Sequence, residues 1–176
     1  MKNIIVDLDG VICQYDFPKL IKKHFGVAVL PEWLWCYGLE DSLGLPFDEV
    51  HRMFAKEAFA PPTFIDGAIS ALASLILRDY NVCILSNRTK YMELEDLTDW
   101  ASTYKIPFSQ VITCASLPSY VHVAIDDWPR KLLELDSKTT VKKLLLFQQP
   151  WNEQCHNLLE RLTFVRDWND ILEEVG

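Results

Sequence analysis

Five near-continuous apolar runs punctuate the chain: Asn3 to Leu8, Asn81 to Leu85, Gln110 to Thr113, Val121 to Ile125 and Lys143 to Phe147. Short apolar runs without strict alternation read as strands covered on both faces, the habit of a parallel sheet. Helical spacing appears between them. Asp66-Gly67 opens a segment in which Ala68, Ala71, Leu72, Leu75 and Ile76 share one face, and a second helix is predicted from roughly Tyr91 to Tyr104. Strands alternating with helices predict an α/β fold, a Rossmann-like doubly wound parallel sheet. Ligands in such sheets bind outside the carboxyl ends of the strands.

The stretch 15–64 breaks this alternation and is too long for a simple crossover. It concentrates aromatic residues, among them Tyr15, Phe17, Trp33, Trp35, Phe47, Phe54 and Phe64. Phe47, Val50, Phe54 and Ala58 fall at helical spacing after Pro46, a residue suited to a first helical turn. The expected organisation is therefore a core of residues 1–14 and 65–176, with a small helical cap inserted at 15–64 and closed by Pro61-Pro62. Most of the aromatics should pack in the interior. Trp33 and Trp35, in a loop-like stretch between Pro31 and Gly44, are the best candidates for a stacking surface.

Composition narrows the partners. With 176 residues, 49% of them hydrophobic, the chain can bury a substantial core as one domain, and a net charge of −8 without a basic patch argues against long nucleic acid or an anionic membrane. Five scattered cysteines without a Cys-x-x-Cys pair argue against disulfides and zinc. No long apolar segment precedes the first polar residues, so a cytoplasmic location is expected, or a host cytoplasm for a virus-encoded protein.

The chemistry is concentrated at strand ends. The first run delivers Asp7-Leu8-Asp9-Gly10-Val11, two carboxylates two residues apart, followed by a glycine that permits a sharp turn. A second run, Val82 to Leu85, ends in Ser86-Asn87-Arg88, a hydroxyl, an amide and a guanidinium that can all bind a phosphoryl group. The third, Val123-Ala124-Ile125, ends in Asp126-Asp127. Adjacent acids at a buried strand end are costly unless a cation joins them. Asp7, Asp9, Asp126 and Asp127 therefore read as one Mg²⁺ site of hard oxygen ligands. An EF-hand is excluded, since Gly10 is fourth and Pro18 twelfth counting from Asp7. No P-loop or Gly-x-Ser-x-Gly elbow occurs, and His24, His51, His122 and His156 show no ligand spacing.

This ordered set resembles the haloacid dehalogenase-like phosphohydrolase superfamily over the whole core. The resemblance implies that Asp7 is a nucleophile forming an aspartyl-phosphate, and that Asp9 protonates the leaving oxygen and then activates water. Asp126 and Asp127 would complete the metal site with the Asp7 side chain and the Asp9 backbone carbonyl, while Ser86 binds a phosphoryl oxygen. Within the superfamily the chain is most similar to the 5′(3′)-deoxyribonucleotidases. That likeness rests on the aromatic insertion, Asp66-Gly67-Ala68, and the tail segments Leu146 to Asn152 and Arg166 to Leu172. It implies a nucleoside monophosphate as substrate, its base stacked among Tyr15, Trp33 and Trp35. A homodimer is compatible with it.

One departure matters. Family members carry a lysine about ten residues before the paired acids, where this chain has Ser116, and the run Thr113 to Ala124 contains no Lys or Arg. Arg88 is the first candidate for the missing charge, with Lys90, Arg130 and Lys131 behind it. The alternatives are a weak or inactive protein that binds nucleotides or phosphate, and a phosphatase for another small phosphate ester.

Overall fold

The computed structural model describes residues 2–30, 33–34, 38–157 and 160–176. At its centre β1 (Lys2–Val6) pairs in parallel with β4 (Tyr80–Leu85) on one side and β6 (Tyr120–Asp126) on the other. With β5 (Gln110–Ile112), β7 (Thr140–Phe147) and β8 (Leu162–Val165) they form a six-stranded parallel sheet in the order β5-β4-β1-β6-β7-β8. Strand alternation divides the core. Ile4 and Val6 of β1 pack with α4 (Ala68–Leu77), α5 (Leu94–Thr103) and α7 (Trp168–Val175), whereas Ile5 joins Leu132 and Leu135 of α6 (Pro129–Lys138) on the other face. Both faces are covered, as the near-continuous apolar strands require.

The chain runs outward from β1 through β4 to β5, then returns to the opposite side of β1 with β6. The strand order therefore reverses beside the carboxyl ends of β1 and β6, the place where doubly wound sheets leave a crevice. Asp7 follows β1 directly, and Asp126 and Asp127 stand at the end of β6.

The segment between β1 and α4 leaves and re-enters the core at one point. β2 (Cys13–Gln14) and β3 (Thr63–Phe64) form a two-stranded antiparallel ladder, extended by the Ile65 N–H donating to the Ile12 carbonyl at 2.9 Å. Between them lie α1 (Phe17–Phe25), α2 (Leu39–Leu43) and α3 (Phe47–Glu57). Asp16 caps α1 by accepting from the Lys19 N–H, and Gly26 ends it in the left-handed region at φ 71°. Ile21, Val29, Leu34, Leu39, Val50 and Met53 bury one another in a core of their own. Glu57, bound by Lys23 and by His24 at 2.7 Å, ties α3 to α1.

Three details differ from the sequence-based expectation. The expected apolar face of α3 is split: Val50 is buried with Met53, but Phe47 is 58% exposed. The β2–β3 ladder and β8 carry no strong sequence signal, being two and four residues long. The second predicted helix starts later, at Leu94, after a 3₁₀ turn over Asn87–Lys90. No described helix is long and apolar enough to cross a membrane.

Candidate active site

The Asp7 N–H still donates to the Ile125 carbonyl at 2.9 Å, so β1 holds its alignment to the residue that carries the carboxylate. The chain then folds back on itself. The Ile12 and Cys13 N–H groups both donate to the Leu8 carbonyl, and the Gly10 N–H donates to the Cys13 carbonyl at 2.7 Å. Gly10 has φ +91°, and a β-carbon there would lie 2.3 Å from Asp127 Oδ2. No L-residue fits this position, because both the backbone conformation and the space belong to glycine.

Asp7, Asp126 and Asp127 each offer a carboxylate oxygen to one group whose atoms lie within 4.8 Å of one another. Asp126 and Asp127 are buried. Burial, followed by repulsion from Asp126 and Asp127, raises the Asp7 carboxyl well above its ordinary range. Asp127 is likewise raised by burial and then by Asp126. Burial lifts Asp126 to about 7, against the opposing pull of the Trp128 N–H, which donates to it at 2.8 Å, and of the Lys131 charge. Among the described residues no ion pair to Lys, Arg or His neutralises these three acids. A buried, all-carboxylate donor set with surplus negative charge fits a hard divalent cation, and a softer metal would find no nitrogen or sulfur donor in it.

The segment after β7 holds this geometry. Trp151 donates from Nε1 to Asp127 Oδ2 at 2.8 Å, and Asn152, 1% exposed, donates from Nδ2 to the carbonyls of Asp127 and Phe147 at 2.7 and 2.8 Å. Gln149 donates from Nε2 to the Gly10 carbonyl at 2.7 Å, tying the first acidic loop to the same segment. In the sequence these residues carried a family likeness but no role. Nothing local could have revealed one, since their partners lie as far as 139 positions away.

Asp9 departs from the expected four-carboxylate cluster. Its side chain turns to Arg88, which donates from Nε to Oδ2 at 2.9 Å and from Nη2 to Oδ1 at 2.8 Å. The carboxylate is therefore committed to a guanidinium, and only the other three acids converge. The same contact corrects the expectation that Arg88 is a free cation for phosphate. Its guanidinium is 4.2 Å from the Trp100 ring centroid, and Nη1 donates to the Ala58 carbonyl at 2.8 Å. Burial works against its charge, yet Asp9 holds its pKa above the ordinary value. Ser86 is buried, and its Oγ accepts the Arg88 N–H at 3.1 Å, which caps the 3₁₀ turn after β4. Asn87 reaches the cavity wall.

A cavity of about 450 Å³ opens above the acids, between the strand ends and α2 and α3. Asp7, Asp9, Asn87 and Asp127 line it, together with the aromatic residues Tyr15, Phe17, Phe47, Phe54, Tyr91 and Trp151. Exposed Phe47 is thereby explained, for it faces this space. Tyr15 is among the lining residues, packed edge-on to Phe54 with ring centroids 5.8 Å apart. Trp33 is not among the lining residues. It stands 47% exposed, its N–H donating to the Leu30 carbonyl. Trp35 lies outside the described residues.

Ser116 is exposed and closes a turn, its Oγ accepting the Thr113 N–H at 3.0 Å. Lys131, in the first turn of α6, has its Nζ 3.4 Å from Cys114 Sγ, and its charge is felt by Asp126. Lys90 lines the cavity.

No protein-family model and no curated protein matches the chain. Its fold, however, matches solved structures over nearly the whole length of both chains. D,D-heptose 1,7-bisphosphate phosphatase from B. bronchiseptica, solved with magnesium and phosphate, aligns with a TM-score of 0.57 at 15% identity, covering 99% of this chain and 98% of that one. A phospho-aspartyl intermediate analogue of phosphoserine phosphatase aligns at 0.57 and 14%, covering 100% and 99%. A haloacid dehalogenase-like family hydrolase from Xanthomonas campestris aligns at 0.54 and 14%, covering 99% and 96%. At these identities the likeness establishes a shared fold.

Proposed function

We propose that this chain is a Mg²⁺-dependent phosphomonoesterase of the haloacid dehalogenase-like superfamily, acting on small phosphate esters through an aspartyl-phosphate on Asp7. The observation that carries the reading is the convergence of Asp7, Asp126 and Asp127 at the reversal of strand order, on a fold shared with phosphatases. Residues 1–14 and 65–176 form the catalytic core in this account, with 15–64 as a helical cap.

Asp7, Asp126, Asp127 and the Asp9 backbone carbonyl would hold the Mg²⁺ ion. Bound there, it would neutralise the phosphate and lower the cost of bringing an anion to an acidic floor. The remaining work falls to the chain. An Asp7 oxygen attacks phosphorus, and the P–O bond to the ester oxygen breaks while Asp9, which enters the cycle carrying a proton, gives that proton to the leaving oxygen. Water then attacks the phosphorus of the aspartyl-phosphate and gives its proton to Asp9, which releases inorganic phosphate and restores Asp7. Ser86 and Asn87 bind phosphoryl oxygens.

We assign the part of the absent family lysine to Lys131, whose charge is felt by Asp126 although its Nζ rests beside Cys114 Sγ, outside the cavity lining. Lys131→Ala is expected to lower kcat by about 10²–10³-fold, the usual cost of losing a group aimed at transition-state charge. Lys90→Ala, at a residue that lines the cavity, should act mainly on KM. Steady-state kinetics of the two variants separates these roles.

The substrate we favour is a nucleoside monophosphate, on account of the aromatic walls. Stacking on such walls contributes about 1–3 kcal/mol per base. Phe47→Ala removes a ring that touches the cavity but not the acids, and it should raise KM for nucleoside monophosphates about tenfold while sparing glycerol phosphate. Equal effects on both esters would remove the base from the account. Phosphate release from a panel of nucleoside monophosphates, sugar phosphates and p-nitrophenyl phosphate, with Mg²⁺ and with chelator, tests the function itself. Mg²⁺-dependent turnover supports an enzyme. Nucleotide binding without turnover on any ester would instead make the chain a binding protein.

A further inference from the structure

We infer that Arg88 is a positioning residue for Asp9, linking the orientation of the acid/base carboxylate to the exit of the helical segment 15–64. The inference rests on the phosphomonoesterase reading above, and it removes Arg88 from the list of phosphate ligands.

Arg88 is 4% exposed, and its guanidinium is spent on protein partners. Nε and Nη2 grip the two Asp9 oxygens at 2.9 and 2.8 Å, and Nη2 also points at Cys13 Sγ, 3.7 Å away. Nη1 donates to the carbonyl of Ala58, the residue that ends α3. Trp100, lying under the guanidinium, donates from its own Nε1 to the Ala60 carbonyl at 3.2 Å. The last turn of the inserted segment and the carboxylate of Asp9 are thus fastened to one rigid, planar group. A phosphate could engage this face of Arg88 only by displacing Asp9. The fork geometry is specific to arginine, because an ammonium is a single point of charge and cannot hold both carboxylate oxygens in one plane.

The two roles for Arg88 predict different kinetics. Asp9 serves the leaving oxygen, so its misplacement should matter in proportion to how badly that oxygen needs a proton. An alkoxide needs one, and a p-nitrophenolate hardly does. A phosphate clamp would act on the phosphoryl group shared by both esters.

The test compares kcat/KM of wild type, Arg88→Met and Arg88→Lys with saturating Mg²⁺, on glycerol phosphate and on p-nitrophenyl phosphate. Both variants are expected to lose about 100-fold or more on the alkyl ester and less than about tenfold on the aryl ester. Amide hydrogen exchange at residues 58–60 should rise in the same proteins. Arg88→Lys keeps the stem and the charge, so it covers the case in which the methionine variant fails to fold. Equal losses on the two esters, a rise in the inhibition constant of inorganic phosphate matching those losses, or no loss at all would overturn the positioning role. Absence of wild-type turnover on both esters would overturn the phosphomonoesterase reading, and this inference with it.

Discussion

Asp7→Asn is expected to abolish phosphate release, by at least about 10⁴-fold, while raising the melting temperature of the metal-free protein. Both effects come from one carboxylate. In the nucleophilic role proposed for it, Asp7 would have no substitute, because an amide oxygen cannot form the acyl phosphate. As a partly exposed anion beside Asp126, Asp127 and Asp9, it is held against desolvation and repulsion, the causes that raise its pKa. Replacing it by a neutral isostere removes that penalty, so the melting temperature should rise. Thermal denaturation at pH 8 with chelator, run beside the kinetic assay, reads both. A variant that loses activity and also melts lower would mean that Asp7 supports the fold rather than straining it.

The second large effect couples metal to protons. Asp126, lifted to about 7 in the folded protein, has an ordinary value of 3.8 when unfolded. The folded state thus holds its proton more tightly. Its contribution to stability is full below about pH 3.8, fades as pH rises, and is gone above about pH 7. Asp7 and Asp127 shift in the same direction. Metal-free protein should therefore melt at a higher temperature at pH 5.5 than at pH 8. The surface pair Arg166–Asp170 has the opposite sign, with Asp170 held at about 2, but it acts only below about pH 4 and so leaves this window untouched. Mg²⁺ competes with the protons, so the Mg²⁺-induced rise in melting temperature should be larger at pH 8 than at pH 5.5, with proton release on binding near pH 6.5. Asp126→Asn should weaken the metal-free pH dependence, leaving the part due to Asp7 and Asp127, and remove most of the Mg²⁺ response. A Mg²⁺ shift that is independent of pH and survives Asp126→Asn would place the ion elsewhere.

Five of the six sheet strands were legible in the sequence because they are buried on both faces and so lack any competing periodicity, whereas β8 is too short to signal itself. The three acids were legible because carboxylates at the ends of buried strands have few structural uses. Direction was not. Asp9 follows Asp7 by two positions and would share its face in an extended strand, but β1 ends at Val6 and the tight loop around Gly10 turns Asp9 toward Arg88. Residue type gave Arg88 the chemistry to bind phosphate, and only the fold reveals a carboxylate 79 positions earlier that occupies it. Aromatic content located the cavity wall without choosing its members. Phe47 and Trp33 are both exposed, yet only the former faces the cavity. Gln149, Trp151 and Asn152 support the acidic loops through hydrogen bonds to distant backbone and side-chain atoms, which no local pattern encodes.

The central claim is covalent chemistry at Asp7, and its most direct test is to stop the reaction of wild type, Asp9→Asn and Asp7→Asn with p-nitrophenyl phosphate and Mg²⁺ in acid and weigh the Asp7 peptide. A good leaving group lets the first step proceed without Asp9, while the second step still needs it. One phosphoryl group should therefore accumulate on that peptide in Asp9→Asn and be absent from Asp7→Asn. Mg²⁺-dependent turnover in a wild type whose Asp9→Asn variant never carries phosphate on Asp7, or phosphate appearing on a different residue, would contradict the account.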